Sequence, residues 1–155
     1  MASPAERDLL LAYLEDRFGI DRDGFDGFLF FKKKKSWWIA TRTPLLASVS
    51  RLKISRMGMK AFQKVGQFLK PTTRFIQVFG SYASGATLVI GEAELLALQE
   101  GKGLSLDLDI DQGYVILMMD ENRVVGLGLY VNGILRSQVS RKALKIEMLG
   151  GEERT

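Results

Sequence analysis

The stretch GYVILMMDENRVVGLGLYVNGILR, residues 113–136, limits the possible folds more than any other part of the chain. Its apolar runs read as strands, and the acidic stretch from Asp120 to Asn122, with two carboxylates and an amide, reads as the turn between the first two. Asn132 and Gly133 supply what a two-residue hairpin needs, because both central positions take positive φ. The segment is therefore expected to be an antiparallel meander. Before it, TLVI reads as a strand and EAELLALQ as a helix stopped by Gly101. After it, SRKAL reads as a helical turn, KIEML as a closing strand and GGEERT as a tail.

The N-terminal half has different signals. Ser3 is placed as an N-cap, with Pro4 at the first helical position and Glu6 completing a capping box. Leu9, Leu10, Tyr13, Leu14 and Phe18 recur at helical spacing up to Gly19. FLFF and WWIAT read as two strands, with the lysines of FKKKKSWW forming the turn between them. Thr43 and Pro44 open a short helix through Val49, and LKISRMGMKAFQKVG reads as twisted strand and loop. Pro71 and a Thr72 cap precede a helix whose apolar face would be Phe75, Ile76, Val78, Phe79 and Tyr82, with Gly80 inside it. The composition turns from basic to acidic around Ser84 to Ala86, where a domain boundary is expected. The reading is an α+β protein: an N-terminal basic α/β lobe over 1–84, a β-rich lobe over 85–149 and a flexible tail over 150–155.

Chemistry narrows the function. The 155 residues contain neither histidine nor cysteine, which removes the commonest general base, a thiol nucleophile, cysteine zinc sites and any disulfide framework. Ser36, Ser48, Ser81, Ser105 and Ser137 have no histidine to activate them. Gly126 and Gly128 lack the third glycine and the following helix of a dinucleotide fingerprint. Asp107, Asp109 and Asp111 alternate, but Gln112 and Met118 stand where a calcium loop needs glycine and glutamate. They are expected to be a charged strand edge. No catalytic residue, metal or cofactor is expected. Leu9 to Leu14 is too short to span a bilayer and misplaced for a signal peptide, so the chain is expected to be soluble and cytoplasmic, without membrane partners.

The net charge is only +4, yet no acidic residue occurs from Gly27 to Gly91. That span carries Lys32, Lys33, Lys34, Lys35, Arg42, Arg51, Lys53, Arg56, Lys60, Lys64, Lys70 and Arg74. Segregated positive charge creates a local potential suited to a polyanion.

Gly113 with Tyr114 before an apolar strand, the acidic turn at Asp120 to Asn122, and Gly126 with Gly128 on the next strand resemble the PUA domain, a small RNA-binding pseudo-barrel. The resemblance covers roughly Gly85 to Leu149. The preceding helix, basic aromatic hairpin and KPTTRFIQVFG look like the two-domain C-terminal extensions of Sun-family RNA cytosine-5 methyltransferases, and like stand-alone PUA ribosome-biogenesis factors. There is no room for a methyltransferase domain, so the resemblance implies recognition of rRNA or tRNA without catalysis. It also implies that Lys102, Arg136, Ser137, Gln138, Arg141 and Lys142 lie along one RNA groove, where arginine forks and amides suit phosphate and ribose contacts.

In the first lobe the expected RNA contacts are Lys32, Lys33, Lys34, Lys35, Trp37, Lys70, Thr72 and Arg74. Neighbours on a strand face opposite sides, so one of Trp37 and Trp38 points away from the core and can stack on a base. The alternative is that the second tryptophan too is covered, by the Ser3 to Phe18 helix. Two alternatives remain. One is an adaptor that docks a modification enzyme or ribosome-assembly factor. The other is a DNA binder, which lacks an evident recognition helix.

Overall fold

Ser3 starts the first helix as its sequence requires. Its Oγ accepts a hydrogen bond from the Glu6 N–H at 3.1 Å, and the Ser3 N–H donates to Glu6 Oε1 at 3.2 Å. Helix α1 then runs over Pro4–Phe18 and ends on Gly19, whose φ of 64° is left-handed. It buries Leu10, Leu11, Leu14 and Phe18. Leu9, placed on the apolar face by spacing, is instead exposed.

The structure is a computed structural model that describes residues 1–42, 58–120 and 123–139. The helix expected over Thr43 to Val49, the SRKAL turn, the KIEML strand and the tail lie outside the described residues, as do the basic positions Arg141 and Lys142. The described chain mixes helix and strand in two compact units, Met1–Gly85 and Ala86–Thr155. This is an α+β architecture.

In the first unit, strands β1 (Phe28–Lys33), β2 (Ser36–Thr41), β3 (Met59–Val65) and β4 (Phe68–Pro71) form one antiparallel sheet in sequence order. The stretch read as twisted strand and loop thus yields β3, the first arm of a second hairpin. Two observations place its main core on the helix side of the sheet, with a smaller cluster of Phe31 and Ala40 on the other. Phe30 on β1, Ile39 on β2 and Phe62 on β3 are buried, and helix α2 (Thr73–Phe79) contributes Phe75, Ile76 and Phe79. Phe75 has Phe62, Phe79 and Phe25 at centroid distances of 5.2, 4.9 and 6.1 Å. Such pairs add about 0.5–1.5 kcal/mol each beyond area burial.

Thr72 caps α2 by accepting from the Phe75 N–H. Gly80 ends the helix rather than lying inside it, and a 3-10 turn continues over Gly80–Tyr82. The tighter turn swings Tyr82 off the apolar face. Tyr82 and Val78 are exposed, not core.

In the second unit, β5 (Thr87–Val89) is followed by helix α3 (Glu92–Gln99), β6 (Leu104–Ser105), β7 (Gly113–Met118), β8 (Val124–Val131) and β9 (Ile134–Ser137). The sheet order is β5-β7-β8-β9-β6, and only the β5–β7 pairing is parallel. The expected hairpin at Asn132–Gly133 is present, with φ of 53° and 78°. Leu95 and Leu98 of α3 pack with Val115, Leu117, Val125, Tyr130 and Leu135.

Gly128 lies opposite Val115 on one side and Ser137 on the other. A Cβ there would sit 2.9 Å from Leu135 Cδ1 and 3.2 Å from Leu117 Cδ2, so the glycine lets side chains close over the strand. Asp107, Asp109 and Asp111 lie in an irregular segment with bends between β6 and β7, not in a strand. Their alternation survives nonetheless, because Leu106, Leu108 and Ile110 pack on the core. Tyr130 fastens the segment, its hydroxyl donating to Leu106 O at 2.9 Å and accepting from the Leu108 N–H at 3.1 Å.

A candidate nucleic-acid interface on the first sheet

The β1–β2 register sorts the basic aromatic stretch into two faces. Lys32 pairs with Trp37 and Phe30 with Ile39 on the helix side, whereas Lys33 pairs with Ser36, Phe31 with Trp38 and Leu29 with Ala40 on the outer side. Only Lys34 and Lys35 occupy the turn, because β1 extends through Lys33. Lys34 takes a φ of 57° to close it.

Trp37 is therefore the inward ring, only 6% exposed. Its indole N–H donates to Glu6 Oε2 at 3.4 Å, tying β2 to α1, and Lys32 Nζ lies 5.5 Å from the ring centroid. The expectation that Trp37 offers a face to a base fails here: its ring is used for packing and for a cation–π contact. Trp38 is the outward neighbour, half-buried beside Phe31, Leu29 and Ala40. Lys32 also belongs to the helix side, 3.5 Å from Glu6 Oε2. The Glu6 carboxyl is held below its usual range first by the hydrogen bond from the Ser3 backbone, with the Trp37 indole and the Lys32 charge acting in the same direction against partial desolvation.

A bulge between Trp37 and Trp38 lets β3 supply Phe62 to the inner face and Lys60 to the outer one. Beyond it Ser36 faces Gln63, and Gln63 faces Lys70 on β4. Lys33, Ser36, Gln63 and Lys70 thus form one row across all four strands, roughly 14 Å wide at three strand spacings. Lys60 extends this polar group, its Nζ donating to Gln63 Oε1 at 3.3 Å. Phe31 and Trp38 make the next row on one side, and Val65 paired with Phe68 lies on the other. The Lys64 N–H donates to Lys35 O at 2.8 Å, which holds the two hairpin tips side by side. Cationic and amide groups therefore lie on a single face between exposed Phe68 and half-buried Trp38, whose neighbour Phe31 is buried.

The remaining expected contacts divide. Arg74 is exposed on the first turn of α2. Thr72 is occupied internally, since its hydroxyl donates to Lys60 O at 2.6 Å as well as capping the helix. In the second unit, β6–β9 pairing brings the loop after α3, which holds Lys102, next to the strand that carries Arg136. Arg136 passes over Gly103, whose added Cβ would sit 3.5 Å from its Cζ. Lys102, however, is paired with Glu100 at 2.8 Å, and that hydrogen bond raises its pKa. The Ser137 hydroxyl bridges the Val139 N–H and C=O, and the Gln138 amide reaches Ser137 O. The β3–β4 tip escaped sequence reasoning, although Gly66 between Val65 and Phe68 is a hairpin signal with φ of 61°.

Among the described residues no group of three or more acidic, histidine or cysteine side chains is gathered to hold a metal, and no helix is long and apolar enough to cross a membrane. No protein-family model matches the chain, and no curated protein matches it.

Proposed function

We propose that this chain is a non-enzymatic, cytoplasmic RNA-binding protein acting in rRNA or tRNA modification or in ribosome assembly. In this reading the outer face of the first sheet takes the RNA strand and the second unit is a PUA-like pseudo-barrel. The observation that carries the proposal is the row Lys33, Ser36, Gln63 and Lys70 with aromatic residues on either side, set in a span free of acidic residues. Lysines neutralise phosphates, hydroxyl and amide groups satisfy ribose and base edges, and rings accept unpaired bases. Among the described residues of the second unit, Lys102 is already paired with Glu100. Among the described residues Arg136 is an exposed cation for a phosphate.

Titrating the protein with single-stranded RNA over a range of salt concentrations tests this. About six phosphate contacts give a slope of log affinity against log salt near −4, from roughly −0.7 per contact. A flat slope refutes the proposal. The exposed Val78 and Tyr82 favour a second reading, an adaptor that docks a modification enzyme or assembly factor. In that case a complex isolated from cells survives nuclease treatment.

A further inference from the structure

We infer that Phe68, at the tip of the β3–β4 hairpin, is a base-stacking residue that selects unpaired over duplex RNA, an inference that rests on the RNA-binding reading above. Phe68 is 71% exposed and Val65, directly across the hairpin, is 44% exposed. Burial against the core does not explain either side chain. The two side chains form an exposed apolar pair at the hairpin tip, an aromatic face open to a ligand.

Three features identify the partner as a nucleobase. The pair shares the face that carries Gln63 and Lys70, so an occupant of the tip also meets an amide and a cation. The neighbouring tip supplies exposed Lys34 and Lys35, held close by the Lys64 to Lys35 backbone hydrogen bond. No acidic residue lies anywhere in the span that builds either hairpin. A planar ring beside an amide and several point charges matches a base, its edge and the flanking phosphates. An acyl chain would have no use for Gln63. The ring also stands at a strand end, where a single strand can lay a base on it; bases already stacked within a duplex offer no free face.

The test uses the full chain and a short fluorescein-labelled oligouridylate, with a duplex of equal length as control. Phe68→Leu keeps an apolar side chain and removes the π face, whereas Phe68→Trp keeps and enlarges it. The expected result is that Phe68→Leu weakens binding to the single strand by about 5- to 150-fold, the loss associated with one stacked base. Phe68→Trp should retain affinity, the salt slope should be unchanged in both variants, and the duplex should bind more weakly than the single strand.

Equal affinity of wild type and Phe68→Leu overturns the stacking assignment and leaves the RNA-binding reading standing. Equal affinity for duplex and single strand overturns the selectivity in the same way. Wild-type protein that binds neither RNA overturns both. So does Phe68-dependent binding to phosphatidylserine-containing vesicles in place of RNA, which would make the tip a membrane anchor. Because Phe68 lies outside the core, unchanged thermal melting should accompany every variant; a lowered melting temperature would mean that the side chain is structural, which also overturns the assignment.

Discussion

The two sheets bring strands and helices together with opposite materials. In the first unit the space between sheet and helices is filled by rings, among them Phe25, Phe30, Phe62, Phe75 and Phe79, and the contacts are centroid distances of about 5–6 Å. In the second unit the core is aliphatic, and its closeness depends on a strand position without a side chain, Gly128. Charge differs in parallel: the four strands of the first sheet carry lysines and no acidic residue, with Glu6 of α1 beside Lys32 on the helix side, whereas in the second unit Lys102 is paired with Glu100. Loss of a ring should therefore be felt most in the first unit, and gain of a methyl at Gly128 in the second.

This contrast can be broken by substitution. The largest effect is expected from Trp37→Ala, which empties the ring site beneath α1 and should lower unfolding free energy by about 3–5 kcal/mol in urea titrations. Trp38→Ala, on the outer face, should cost clearly less; the reverse ranking would mean that the face assignment is wrong. In the second unit, Gly128→Ala adds a single methyl between Leu117 and Leu135 and should cost about 1–3 kcal/mol through overpacking. The smallest effect has the opposite sign. At Gly24, in the 3-10 turn over Arg22–Phe25, an added Cβ meets nothing within 4 Å. Gly24→Ala should therefore stabilise by about 0.4–1 kcal/mol by restricting the unfolded chain. A methyl tolerated equally at both glycines would mean that the strand at Gly128 is not closely packed.

Local chemistry made several elements legible. Ser3, Pro4 and Glu6 define a helix start, Gly19 its end and Asn132–Gly133 a hairpin, because each acts through hydrogen bonds or φ values within a few residues. What stayed hidden depends on partners distant in sequence. Trp37 and Trp38 are equally apolar neighbours, so only the register against Lys32 and Phe31, and the bulge facing β3, decide which turns inward. Thr72 and Ser137 looked like free hydroxyls because their acceptors, Lys60 O and Val139 O, are backbone atoms that any sequence would supply. Phe68 was missed for a related reason. Its significance is its exposure, and exposure is set by where a strand ends, not by residue type.

The order β5-β7-β8-β9-β6 also dictates a sequence of events. Strand β6 precedes β7 in the chain, yet its hydrogen-bonding partner is β9, through Leu104 with Leu135 and Ser105 with Ile134. While the chain is being synthesised, β6 emerges and must wait, unpaired, until the β7–β8–β9 meander has been made. Local contacts close quickly and distant ones slowly, since closing a longer loop costs more entropy. The β7–β8 and β8–β9 hairpins should therefore assemble first and β6 dock last. Docking carries in Leu106 and Leu108 and delivers their backbone to the Tyr130 hydroxyl. Tyr130 then acts as a latch, and the edge that carries Lys102 toward Arg136 is the final part of this unit to take shape.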